Sequence, residues 1–253
     1  MRAVLNVARI TVKEGFRDKV YLSFLFFAVL LLVFSLFLGM LVVGDPVKVI
    51  ADFGLAVISI FALLMVIFVG GGSLMKEIQK KTVLVVLSKP INRGEFIIGK
   101  ILGIWFEVVV NIFLMSLFLF LLILARGQAL WGIFVQAGLL SLEMGVLTSI
   151  AILFYTFPTY FLSMLFTLSF YLVGHLAPTI EKASRTINAP FLRNLTRWVS
   201  YLIPNLEYFN LKNQVIYGLK VPASFYLKSF LYFLLLVFVF TALAILSFEK
   251  REV

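Results

Sequence analysis

The sequence predicts an all-α integral membrane protein with six transmembrane helices, and three observations predict it. The composition is 62% hydrophobic and only 13% charged, with mean hydropathy +1.10, far from the roughly half-apolar, one-quarter-charged balance of soluble domains. Several apolar runs reach the ~20 residues that a helix needs to cross about 30 Å of hydrocarbon. These runs also lack the period-two alternation, in segments of roughly ten residues, that a membrane barrel requires.

The six expected spans are Val20 to Val43, Leu55 to Gly72, Ile101 to Ala125, Trp131 to Phe157, Tyr160 to Ala177 and Phe225 to Phe248. The first exceeds the ~7 to 15 apolar residues of a secretory signal core and is followed by no A-x-A-like site, so it reads as a span. The fourth and fifth are separated only by Phe157-Pro158-Thr159-Tyr160. Together they are too long for one crossing, and Pro158 punctuates them. The absence of cysteine excludes a disulfide framework, a thiolate metal site and a redox pair.

The net charge of +10 raises the possibility of nucleic acid, but in a membrane protein Lys and Arg hold loops on the cytoplasmic side and meet anionic headgroups. With the N-terminus cytoplasmic, the inside segments carry thirteen Lys and Arg and the outside segments nine. Most of the outside charge falls in one long connection, and early segments dominate orientation. Both termini are therefore expected to be cytoplasmic, and nucleic acid is not an expected partner.

Residues 1–19 read as an amphipathic interfacial helix. Arg2, Asn6, Arg9, Lys13 and Arg17 fall on one face, with Val4, Leu5, Ala8, Val12 and Phe16 on the other, as suits a helix lying along headgroups.

Residues 73–100 form the loop that joins the second and third spans. They contain Gly94-Glu-Phe-Ile-Ile-Gly99-Lys100, which fits the first seven positions of a nucleotide-binding P-loop. A working P-loop needs Ser or Thr next, a glycine-rich interior and a preceding strand. Here the next residue is Ile101 and a span follows, so ATP binding by this segment is not expected. Pro90 instead stops an arriving helix at Lys89, and Asn92 with Glu95 is a capping-box start for the next one. The arm from Ser73 to Leu87 is polar at its start and apolar at its end. That suits either docking on headgroups and a soluble partner or a plain positive-inside loop.

Glu77, Lys81-Thr82, Leu87-Ser88-Lys89-Pro90-Ile91, Arg93, Glu95-Phe96, Gly99-Lys100 and Gly103 closely resemble the loop after the second span of type-2 ABC exporter permeases, in the branch that includes the permease for nitrous-oxide-reductase (multicopper enzyme) maturation. Tyr201-Leu-Ile-Pro-Asn-Leu-Glu-Tyr-Phe-Asn210 resembles a second block of that branch. The resemblance covers essentially the whole chain. It implies a single permease domain that pairs with a second permease chain, as a homodimer in a plasma membrane. Each chain would engage a separate cytoplasmic ATPase, which binds ATP and Mg. On this resemblance Glu77, Lys81, Thr82, Lys89, Pro90, Arg93 and Glu95 contact the ATPase, and the chain itself is not an enzyme and needs no cofactor.

Ionisable groups at membrane depth cost roughly 2.5 to 3.5 kcal/mol each at a helix centre, so each needs a partner or water. Glu107 and Glu143 are expected at similar depth on neighbouring antiparallel helices, with Asn111 one turn from Glu107. They either line an inward vestibule or share a proton, or each is separately capped. Gly138, Ser141 and Gly145 form a ridge that permits close helix approach. His175 is expected to make a helix-end hydrogen bond. With no second His and no Cys it does not suggest a metal site, and direct copper transport finds no support.

Residues 178–224 are expected to be an external amphipathic connection, with Leu192, Leu195, Trp198, Val199, Leu202 and Ile203 on one face. It would either cap the translocation path or anchor the last span. The whole reads as the membrane permease of an ATP-driven exporter moving an apolar, amphipathic or conjugated cargo. The alternatives are a secondary transporter, which lacks the repeats it should show, and a noncatalytic membrane assembly factor.

Overall fold

The computed structural model describes residues 2–42, 44–72, 75, 92–157, 159–186 and 203–250. Within them lie the helices α1 (Arg2–Gly15), α2 (Lys19–Leu41), α3 (Pro46–Leu64), α4 (Arg93–Leu124), α5 (Gly132–Tyr155), α6 (Tyr160–Thr186), α7 (Lys212–Ile216) and α8 (Ala223–Glu249). A π-helical turn, Met65–Gly70, prolongs α3, and a 3-10 turn, Leu206–Phe209, precedes α7. Six of these helices, α2, α3 with its π turn, α4, α5, α6 and α8, are long and apolar enough to cross a membrane. The expected six-span, all-α architecture is the one the chain adopts.

Three span boundaries differ from expectation, one of them the start of α4, which lies at Arg93 rather than Ile101. α3 begins at Pro46, nine residues before Leu55. Asp45 accepts a hydrogen bond from the Val47 amide at 3.2 Å, and proline is well suited to a first position whose N–H would have no helical partner. α6 runs past Ala177 to Thr186 with Pro178 inside it, so the connection expected from residue 178 begins as helix. Proline forfeits one hydrogen bond, to the carbonyl four residues back, and long membrane helices absorb that loss.

α3 and α5 form the centre, with 72% and 78% of their most apolar windows buried, while α2, α6 and α8 are peripheral at 22% each. Phe26, Phe27, Phe37 and Phe238 are exposed, which carries no penalty in hydrocarbon. Helix association there relies on close packing at small residues. On α2 the buried stripe is Ala28, Leu32, Ser35 and Gly39. On α5, Trp105 of α4 donates its indole N–H to the Ser141 carbonyl at 2.7 Å, and Gly145 lies under Trp105 and Phe233. Gly138 faces open space, so only Ser141 and Gly145 of the expected ridge bear on a neighbour.

α1 is a separate helix as expected, but its place is a groove on α4. Val4 and Val7 lie over Gly99, Ala8 and Thr11 over Gly103, and Gly15 over Glu107. A Cβ at Gly99 would stand 2.9 Å from the Val4 carbonyl oxygen, and one at Gly103 would stand 2.9 Å from that of Ala8. The two glycines thus admit backbone where any side chain would hold α1 away. The buried face is consequently Val7, Thr11 and Gly15, and Leu5, expected on the apolar face, is exposed.

Phe96 stacks on Phe248 with ring centroids 5.9 Å apart, less than one turn before Gly99, where α1 lies. The start of α1 and the end of α8 therefore meet the bundle at the same end, where α4 begins. That end is referred to as the loop end, and the opposite one as the far end.

Candidate functional site

Of the residues expected to contact an ATPase, Glu77, Lys81, Thr82, Lys89 and Pro90 lie outside the described residues; Arg93 and Glu95 are described. The structure shows the abutments on either side of the loop. On the approach, the side chain of Tyr155 lies flat against Gly71, where a Cβ would overlap its ring. Its hydroxyl donates to the Ile67 carbonyl at 2.8 Å. A π turn shifts the backbone ladder, and Tyr155 supplies a donor to a carbonyl within it. Ile104 of α4 occupies the space over Gly70.

On the return, Glu95 accepts from the Asn92 amide at 3.2 Å, completing the capping box expected there. Arg93 donates to the carbonyls of Glu249 at 3.1 Å and Phe248 at 3.4 Å. A guanidinium at that position satisfies orphan carbonyls and complements the negative end of α8. Thr156 and Ser247 share a hydroxyl hydrogen bond of 2.7 Å, so α5 is tied to the same end of α8. The P-loop-like stretch from Gly94 to Lys100 is the opening of α4, and Gly99 is covered by α1. It has the form of a helix rather than of a phosphate cradle.

The intramembrane carboxylates do not meet. Glu107 is buried against Gly15 at the end of α1. Its Oε1 and both amide atoms of Asn111, one turn along the same face, have no hydrogen-bond partner among the described residues. Glu143, equally buried, faces α6, where its Oε1 lies 2.9 Å from His175 Nε2. His175 Nδ1 lies 2.9 Å from Glu207 Oε2 in the 3-10 turn, and Asn210 donates to Glu207 Oε1 at 2.8 Å. Tyr171 packs edge-on against the imidazole, centroids 4.5 Å apart.

His175 is thus a bridge joining two spans to the far-end turn, which sequence reasoning missed. Both ring nitrogens meet acceptors, and the ring satisfies both when it is protonated. The bond from His175 holds the Glu207 carboxyl below its ordinary range against the opposing effect of burial, and Asn210 reinforces it. Burial pushes the nearby Lys212 ammonium down, while Glu143, Asp52 and Glu207 oppose that shift. Gln136 of α5 clamps the turn, accepting from the Leu211 amide at 2.7 Å and donating to the Phe209 carbonyl at 3.4 Å.

A profile of the ABC-2 family transporter protein matches residues 33–253. The chain belongs to the ABC-2 transporter family. No curated protein matches the sequence. The chain is a multi-pass plasma-membrane protein, the permease subunit of an ABC transporter. Permeases of this family work with an ATPase subunit. The matched region holds the loop and the Glu143–His175–Glu207 bridge, whereas α1 precedes it.

Proposed function

We propose that this ABC-2 permease is one half of a dimeric exporter, with its loop end cytoplasmic, and that Glu77 to Arg93 is the handle through which a separate ATPase drives it. The bonds from Arg93 to the last carbonyls of α8 carry this reading. They make the return of the loop common to α4 and α8, so force applied to the loop reaches two spans together. The capping box at Asn92 and Glu95 gives α4 a firm end to be pushed, and Tyr155 ties the approach through α3 to α5. ATP-driven closure of the ATPases would then tilt these spans as rigid bodies and open a path between permease chains. ATP and Mg belong to the ATPase. The cargo on this reading is apolar, amphipathic or conjugated.

Because the chain has no cysteine, single substitutions Glu77→Cys and Lys89→Cys give unambiguous crosslinks in native membranes. The expected product is an adduct with a nucleotide-binding subunit, identified by mass spectrometry. Both sites should also resist membrane-impermeant maleimide applied from outside. Labelling from outside, or no adduct at either site in a complex that retains ATPase activity, would overturn the proposal.

A further inference from the structure

At the far end, Pro178 of α6, the 3-10 turn, α7 and the start of α8 border an open pocket of about 270 Å³. Its hydrogen-bonding groups are mostly amides. Asn205, Asn213 and Gln214 line it, and the side-chain oxygen of Asn205 is buried without a partner among the described residues. Tyr208 and Phe225 form the aromatic part of the wall, stacked within 8° of parallel at 5.5 Å.

We infer that this pocket binds a neutral polyhydroxylated ring, a glycosyl group supplied either by a free sugar or by the headgroup of a glycolipid. Primary amides present donors and an acceptor side by side. That pattern complements vicinal hydroxyls, each of which gives and takes a hydrogen bond. The stacked aromatic pair offers the apolar surface on which the C–H face of a sugar ring rests. Charge selects against ionic ligands. The carboxylate in the wall, Glu207, already spends one oxygen on His175 and the other on Asn210, so it offers little to a cation. Among the described residues, no lysine or arginine lines the pocket to hold a phosphate. The volume lies near the lower bound of small-molecule sites, roughly 300 Å³, and accommodates a single ring better than the extended backbone and side chains of a peptide.

The wall is also set before any ligand arrives. The Asn205 amide donates to the Tyr232 hydroxyl at 2.8 Å, Gln136 holds the turn from below, and Glu207 is fixed from behind by His175. Such preorganisation removes ordering cost from binding.

The test uses the full-length chain in nanodiscs, with saturation-transfer NMR against methyl α-glucopyranoside, methyl α-galactopyranoside and myo-inositol. Trialanine serves as the peptide probe, and a second set of discs contains monoglucosyl diacylglycerol. We expect transfer to at least one sugar probe, with affinity at least tenfold weaker in the Asn213→Ala/Gln214→Ala double variant and in Phe225→Leu. Asn213 is exposed, so the double variant should keep the thermal midpoint of the parent, and Phe225→Leu tests the same wall independently. Transfer to free glycosides identifies a soluble source. Suppression of that transfer in the glycolipid discs identifies a headgroup instead, and either result upholds the inference. Transfer to trialanine without any sugar, no transfer to any sugar in either set of discs, or transfer unchanged in both variants overturns it. Binding here requires neither an ATPase nor a transport direction, so it fails independently of the coupling proposal.

Discussion

Glu143 of α5 and His175 of α6 meet at 2.9 Å, Oε1 to Nε2, each eleven residues from the far end of its helix. At helical rise that is about 16 Å along each helix. An isolated carboxylate at such depth is costly. Here the cost is offset by an imidazole whose second nitrogen is engaged by Glu207. The result is a polar strut between α5 and α6, tying the far-end turn to the middle of the bundle.

Removing the central member should therefore be worse than removing the far one. His175→Ala leaves Glu143 buried with no partner, and breaking a buried pair in this way costs about 3–5 kcal/mol. His175→Gln retains a donor for one carboxylate and should lose less. Thermal unfolding of the purified protein in detergent orders the variants, and equal midpoints for His175→Ala and the parent would show that the bridge contributes no stability.

The pH dependence has a definite sign at Glu207. Its folded pKa lies below the ordinary carboxyl value of 4.5 because His175 donates to it. A depressed carboxyl pKa adds stability that is fully present above the unfolded value and is lost as pH falls through the folded one. The parent should thus exceed Glu207→Gln in thermal midpoint above pH 4.5, and the two curves should converge as the pH drops below it. A gap that widens on acidification contradicts this assignment.

The six spans could be read from apolar length, and the capping box could be read from Asn92 and Glu95 alone, because both are local properties of the chain. The His175 bridge was hidden by one boundary. Ending the fifth span at Ala177 places His175 at a helix terminus, whereas continuation through Pro178 to Thr186 places it at the depth of Glu143. Counting eleven residues inward from each true helix end would have paired the two. Glu207 stands in the Tyr201 to Asn210 block but reaches His175 only because a turn folds back, which no periodicity reports. The similar depth expected for Glu107 and Glu143 gave no information about direction: Trp105 takes the α5 side of α4, leaving Glu107 to face α1. Likewise Gly99 and Gly103 were legible as part of a family-like motif, while their use as the bed of α1 depends on a partner helix far away in sequence.

That bed makes a specific demand on side-chain size. Gly103→Val would place atoms against the Ala8 carbonyl and the Thr11 side chain, and relief requires moving α1. Overpacking of this kind costs about 1–3 kcal/mol. Gly94→Ala is the control, since a Cβ there makes only ordinary contacts, 3.6 Å from Ile245. Limited trypsin digestion should cut at Arg9 and Lys13 faster in Gly103→Val than in the parent or in Gly94→Ala. Equal cutting in all three would mean that α1 is not held by this groove.

The last prediction concerns the junction between α3 and the loop. Tyr155→Phe removes the only hydroxyl that reaches the Ile67 carbonyl among the described residues, and leaving a buried acceptor unsatisfied costs about 1–3 kcal/mol. Gly71→Ala should be more damaging, because its Cβ would occupy the space of the Tyr155 ring and force the two helices apart. If force enters the spans through this junction, Tyr155→Phe should lower cargo-stimulated ATPase activity of the reconstituted complex by more than Ser163→Ala. That control also deletes a hydroxyl bonded to a backbone carbonyl, the Phe154 carbonyl at 2.7 Å, but belongs to α6 and bonds to no carbonyl of the π turn. Matching both variants for thermal midpoint separates coupling from stability. Equal activity in the two at equal midpoint would assign Tyr155 a packing role only.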